Sequence, residues 1–411
     1  MNWEQTKKLI DGHVDQVLHK VITWRRDIHA HPELGNQEFR TAALVAGHLR
    51  QLGLEVTTGV AKTGVVGLLK GAKPGSVVAL RADMDALPVT ELCDLPFASK
   101  ARAVQDGVEV GVMHACGHDV HTSNLMGVAE VLSKMKDELP GTVKFIFQPA
   151  EESLANEKIW GAQLMVKEGV LENPKVDAIF GLHVWPFETG TITVCPGPLM
   201  ASVDNFRITV YGKGTHGAVP WQGVDPIVAG ANMVTALQSI VSRNVVLNEG
   251  GAVITVGSFH GGNRHNIISD KVEMEGTIRT HNENARKIIH KRLKELVQNT
   301  ADAYGAGAQV EIDVIYPTTI NNVELTQQMM PILAEASCKV NSMNPMMPSE
   351  DFSFYQQKVP GMYFFLGIVP PGTDYEKIEP NHSPRFMVDE EAIPYGMKAL
   401  SYLAVKYLMD H

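Results

Sequence analysis

Cysteine is scarce in this 411-residue chain. Cys93, Cys116, Cys195 and Cys338 are too few and too scattered to staple so long a chain, which excludes a disulfide scaffold. Long apolar runs are missing as well: nothing approaches the roughly 18 uninterrupted residues of a membrane span. The opening MNWEQTKKLIDGHVDQVLHK has no apolar core of a secretory signal, so a reduced, cytoplasmic location is expected. Basic residues are outnumbered, 36 Lys and Arg against 46 Asp and Glu, for a formal charge of −10. Their clusters, such as 287–294, read as one solvated helix face, which argues against a nucleic-acid groove. Internal repeats and low-complexity tracts are absent too.

What is present is the composition of a folded globular protein, 44% hydrophobic and 20% charged, at a length that exceeds one comfortable core. Helical spacing marks 5–30 and 41–52, and β-rich runs follow at 64–71, 76–84, 143–148 and 178–184, with helix-like segments at 123–135 and 162–168 between them. Buried strands alternating with helices predict an α/β fold, a mixed central sheet with helices on both faces. Near residue 200 the character changes. Strand, helix, two strands, helix and strand (204–214, 226–241, 252–259, 271–280, 284–304, 308–317) spell a β-α-β-β-α-β unit. A helix-like stretch at 326–336 and a strand at 362–369 then resume the earlier style. The expected organisation is a catalytic domain in two parts, 1–198 and 318–411, carrying an inserted domain at 199–317.

Chemistry-bearing residues gather at the predicted strand exits, where open α/β sheets bind ligands. MHACGHDVH (113–121) offers Cys116 and His118 two residues apart at a loop-to-helix junction. A thiolate with an imidazole suits zinc or a similar divalent ion; the bland alternative is a polar turn with chance histidines. FQPAEE supplies Glu151 and Glu152, GLHVWP supplies His183 and NHSPRF supplies His382. Adjacent glutamates diverge, so one can bind metal while its neighbour serves as general acid and base. RADMDALP puts Asp83 and Asp85 at another strand exit, as a ligand or as a carboxylate that orients a ligating histidine. In the inserted segment, the glycines of GKGTHGAVP imply a tight turn exposing His216. Asn266 and Arg279 are candidates to hold an anionic substrate end.

Together with RRDIHAHPELGNQE and GTHGAVPWQGVDP, these motifs resemble, over essentially the whole chain, the metal-dependent amidohydrolases of the aminoacylase/carboxypeptidase superfamily. The most similar branch holds hippurate hydrolase, indole-acetyl-amino-acid hydrolases and N-acyl-diaminopimelate deacetylases. The resemblance implies two divalent metal ions, zinc foremost with manganese, nickel or cobalt as alternatives. Cys116, His118, Glu152, His183 and His382 would be the ligands, Cys116 bridging. It implies Glu151 as base and acid acting on a metal-bridging water, Asp83 as the carboxylate behind the ligands, and His216 as oxyanion stabiliser in the site of a partner subunit. Asn266 and Arg279 would fall where relatives recognise a substrate carboxylate. The inserted domain would mediate homodimerisation. Two departures stand out: Ser269 where relatives often carry proline, and Cys116 where more distant members carry aspartate.

The expected activity is hydrolysis of the amide bond of N-acyl amino acids or related small conjugates, with a carboxypeptidase acting on short peptides as the alternative. Two rivals come from other classes. A non-catalytic metal-binding protein would be favoured by loss of either glutamate of FQPAEE, and both are present. A thiol hydrolase using Cys116 would keep its activity in a chelator.

Overall fold

The computed structural model describes residues 2–105, 107–152 and 159–411. They form two compact units: Met1–Gly197, Ile320–Asn344 and Phe354–His411 in the first, Pro198–Thr319 and Pro345–Ser353 in the second. Among the described residues no helix is long and apolar enough to cross a membrane.

In the first unit an eight-stranded sheet runs in the order Glu55–Val60, Gly64–Lys70, Pro140–Gln148, Lys73–Asp83, Ala178–Glu188, Gly361–Val369, Thr191–Val194, Lys339–Ser342. The central strands 140–148, 73–83, 178–188 and 361–369 are mutually parallel, which collects their carboxyl ends along one edge. Antiparallel neighbours on either side make the sheet mixed. Central parallel strands are covered on both faces and therefore carry continuous apolar runs, as in Val78-Ala79-Leu80 and Phe145-Ile146-Phe147. Two glycines show the two covers. A Cβ at Gly67 would lie 2.9 Å from Leu49 of helix Phe39–Gln51, whereas one at Gly64 would lie 2.9 Å from Met165 of helix Gly161–Lys167. Three residues apart in a strand, these positions face opposite sides.

Helices Trp3–Ala30, His118–Ser133 and Ile393–Asp410 pack on one another beside Val78, Leu80, Phe145 and Phe147. The middle one is buried at every residue from His118 to Leu132. On the other face Lys144, 2% exposed, donates to the carbonyls of Val170, Glu172 and Pro174 at 2.9, 2.7 and 2.9 Å, fixing the loop that follows Gly161–Lys167.

The second unit is a four-stranded antiparallel sheet in the order Ala252–Gly261, Lys271–Thr280, Ser202–Tyr211, Gly307–Tyr316. Helices Pro226–Asn244 and Glu283–Ala303 cover one face. Phe206, Ile208 and Val210 alternate into that core, while Arg207 on the open face pairs with Glu275.

The structure departs from the sequence pattern in a few places. The helix expected at 123–135 begins at His118, because the polar residues His118–Asn124 are all buried. Strands Glu55–Val60, Thr191–Val194 and Lys339–Ser342 give no clear signal; all lie at or near the sheet's edges, the first mostly exposed and the last without a buried residue. The stretch 345–353 packs with the second unit despite lying far beyond residue 317.

Candidate metal centre

Three of the segments that carry the candidate residues hold a backbone conformation that ordinary chains avoid. Gly117, just before helix His118–Ser133, has φ 88°, and a Cβ there would stand 2.2 Å from Val184 Cγ2. Only glycine meets both conditions. Ala150 (φ 49°) and His382 (φ 70°) are left-handed without being glycine, a strain of about 1 kcal/mol or more each that neighbours must impose. The Ala150 N–H donates to Glu38 Oε1 at 2.8 Å, and the His382 N–H to the Ala115 carbonyl at 2.7 Å. Asn381 Nδ2 adds bonds to the carbonyls of Cys116 (3.3 Å) and Val184 (3.4 Å), so three separate loops are tied at one point.

Ligand-type atoms of Cys116, His118 and His183 lie within 4.8 Å of one another, as do those of Cys116, Glu152 and His382. The two sets share Cys116. Cys116 Sγ is 3.4 Å from His183 Nε2, and His382 Nε2 is 3.1 Å from Glu152 Oε1. The far side of each group is already engaged. His183 Nδ1 donates to the Val184 carbonyl at 2.6 Å, His118 Nδ1 faces Asp85 Oδ1 at 3.2 Å, and Asp85 Oδ2 accepts from the Glu152 N–H at 3.0 Å. Such partners fix which imidazole nitrogen keeps a free lone pair. His118 Nε2 is buried without a hydrogen bond, an arrangement rare enough to need an explanation. A cation between the two sets supplies one, so these residues fit a divalent metal site.

The electrostatics agree. Hydrogen bonds donated to Cys116 and Glu152 push the His382 imidazole up to about 10. Burial disfavours the His118 cation, yet Asp83, Asp85 and Cys116 outweigh it and hold that imidazole well above its ordinary range. Burial with His121 beside it keeps His183 well below, hence neutral. Burial raises Glu152, but His382 more than offsets it and the carboxyl stays low. The pocket thus favours positive charge while presenting a neutral imidazole and an ionised carboxylate.

Glu151 is 6% exposed and lies within 4.8 Å of His118 and Glu152 by its ligand-type atoms. Asp83 accepts from His121 Nδ1 at 2.6 Å and Arg81 at 2.5 Å but stands 3.7 Å from His118 Nδ1, so Asp85 is the nearer partner of His118. His216, Asn266 and Arg279 all belong to the second unit. His216 is exposed, and its Nδ1 accepts from the Ala218 N–H at 3.0 Å, which leaves Nε2 carrying the proton as a donor. Asn266 lies beside it, its carbonyl accepting from Gly217 at 2.8 Å, with its Oδ1 buried and unpaired. Arg279 donates to Ser349 Oγ at 3.1 Å and the Met347 carbonyl at 3.4 Å. Sequence reasoning passed over Glu38, Arg81 and Asn381. It also left RRDIHAHPELGNQE without a role: Arg25 and His29 hold Asp119 of helix His118–Ser133 at 2.8 and 2.9 Å.

Two donor sets sharing a thiol, with a spare glutamate alongside, on a mixed α/β sheet define a metallohydrolase. The chain belongs to the peptidase family M20/M25/M40, whose model matches residues 79–406. It is 43% identical over 393 residues to thermostable carboxypeptidase 1 of Saccharolobus solfataricus, covering 94% of this chain and 95% of that protein. It is also 43% identical over 317 residues to an N-acyl-L-amino acid amidohydrolase of Geobacillus stearothermophilus, covering 77% and 82%. Among solved structures, the Bacillus subtilis YXEP protein, a dinuclear metal binding peptidase from the M20 family, superposes with a TM-score of 0.80 at 36% identity, covering 96% and 99%. Metal-dependent amide hydrolysis is the chemistry of this chain.

Gly117→Ala forces a left-handed alanine against Val184, an expected loss of about 2–4 kcal/mol. Urea denaturation should show it, together with reduced metal content in the folded fraction; unchanged stability would contradict the role given to Gly117.

Proposed function

We propose that this enzyme hydrolyses the amide bond of N-acyl amino acids or related small conjugates, releasing an acid and an amino acid. Two divalent ions, zinc foremost, would be held by Cys116, His118, Glu152, His183 and His382, with Cys116 shared. The observation that carries this reading is the pair of donor sets meeting at Cys116 with Glu151 beside them. When bound, such ions polarise a carbonyl and lower the pKa of water to about 7.

Glu151 takes the proton from the attacking water and delivers it to the leaving nitrogen, so one carboxylate serves both halves of the reaction. Its neighbour Glu152 stays ionised as a ligand, which the low-lying carboxyl supports. Asp85 and Asp83 hold His118 and His121 in orientation from behind. His216 donates its Nε2 proton to the developing oxyanion in the site of a partner subunit, in keeping with the Ala218 bond that fixes its tautomer. Asn266 and Arg279 recognise the substrate carboxylate. The chain works as a cytoplasmic homodimer through the second unit, whose edge strand Ala252–Gly261 exposes Val253 and Phe259. A carboxypeptidase acting on short peptides is the second reading, favoured by the similarity to the Saccharolobus carboxypeptidase.

A panel of N-acetyl and N-benzoyl amino acids and dipeptides, assayed after EDTA treatment and again with zinc, manganese, cobalt or nickel restored, separates these readings. Activity should vanish in EDTA and return with metal; survival in EDTA would point to a thiol mechanism. Glu151→Ala should keep its metal while turnover falls on the order of 10⁴-fold, and loss of metal instead would exchange the roles of Glu151 and Glu152. His216→Ala removes an oxyanion donor worth about 2.7–4 kcal/mol, so kcat should fall on the order of a hundredfold or more; full activity would remove that role.

A further inference from the structure

Glu38 is a fully buried carboxylate outside the ligand sets, 0% exposed at the start of helix Phe39–Gln51. Its side chain makes no capping bond to that helix. Its two oxygens point elsewhere. Oε1 accepts from the Ala150 N–H at 2.8 Å, and Oε2 accepts from Thr63 Oγ1 at 2.5 Å. Ala150 is the residue just before Glu151, and it is the one with the left-handed backbone. Residues keep such a conformation only where the surroundings over-determine it. On the far side of Glu151, the Glu152 N–H is held by Asp85 Oδ2 at 3.0 Å. The residues on either side of Glu151 are therefore each held through their N–H by a buried carboxylate from a different part of the chain.

We propose that Glu38 is a positioning residue for the reaction: by holding the Ala150 N–H it fixes the turn that aims the Glu151 carboxylate. This rests on the reading of Glu151 as proton shuttle. A proton-transferring group displaced by about 1 Å loses much of its effect without any change in what binds the substrate. Glu38 does so as a bond acceptor and not as a charge. Burial, with Asp85 adding to it, pushes its carboxyl up to about 7, so the neutral form is tolerated in place. A glutamine can keep both contacts, its Oε1 accepting from Ala150 and its amide donating to Thr63 Oγ1. Aspartate, one methylene shorter, cannot span the two.

The test compares Glu38→Ala, Glu38→Asp and Glu38→Gln with wild type and Glu151→Gln, as metal-loaded full-length enzymes, on the panel member turned over fastest. The expected result is a 10- to 100-fold loss of kcat in Glu38→Ala and Glu38→Asp, with KM within twofold and metal content unchanged, and kcat within threefold of wild type in Glu38→Gln. Circular dichroism and thermal melting identify folded variants; if Glu38→Ala does not fold, Glu38→Asp decides. Wild-type kcat in the folded alanine or aspartate variant overturns the proposal. So does an equal loss in Glu38→Gln, or a loss that follows metal content. An inert Glu151→Gln beside unaffected Glu38 variants removes this inference alone, whereas an active Glu151→Gln removes the proton-shuttle reading and this inference with it.

Discussion

A thiol, two carboxylates and three imidazoles crowded largely out of water strand one another's lone pairs unless positive charge stands between them. The surrounding structure answers that requirement. Asp85 occupies the outer nitrogen of His118 and the Val184 carbonyl occupies that of His183, so the inner nitrogens of both turn to the cluster. Protons fill part of the need, as the elevated His382 and His118 imidazoles indicate. A divalent ion fills it better, because one ion satisfies several donors at once.

Keeping those donors in place falls to backbone that is strained locally and tied down remotely. Gly117, Ala150 and His382 are left-handed in three different chain segments. Each is held by a bond from a distant part of the sequence: Val184 packed over Gly117, Glu38 on Ala150, the Ala115 carbonyl on His382. The parallel sheet makes this economical, since it delivers four chain segments to one edge with their ends in register.

Much of this was legible beforehand. Apolar runs marked the central strands, and the ligand candidates sat at their ends because ligands and strand ends are close in sequence. The less visible parts are those without a local pattern. Glu38 is one glutamate among many until the fold brings Ala150 to it, and Asn381 is only the residue before His382. Asp83 and Asp85 are two apart on one strand exit, so sequence could not say which faces His118; the difference between 3.7 and 3.2 Å is set by how helix His118–Ser133 lies against the strand. The early start of that helix was hidden for a related reason. Its first turns are polar residues buried for bonding, and a hydrophobic pattern registers only residues buried for being apolar.

That helix has no solvent side at any residue from His118 to Leu132. Motions that would loosen His118 must therefore break contacts with the N-terminal and C-terminal helices and the sheet together, so they belong to the slow, cooperative openings of the whole unit and not to local fraying. Fidelity of the ligand geometry and global stability are then one property. The same interior placement leaves the helix no neutral positions at which substitutions could accumulate, whereas the exposed faces of its neighbours are free to drift.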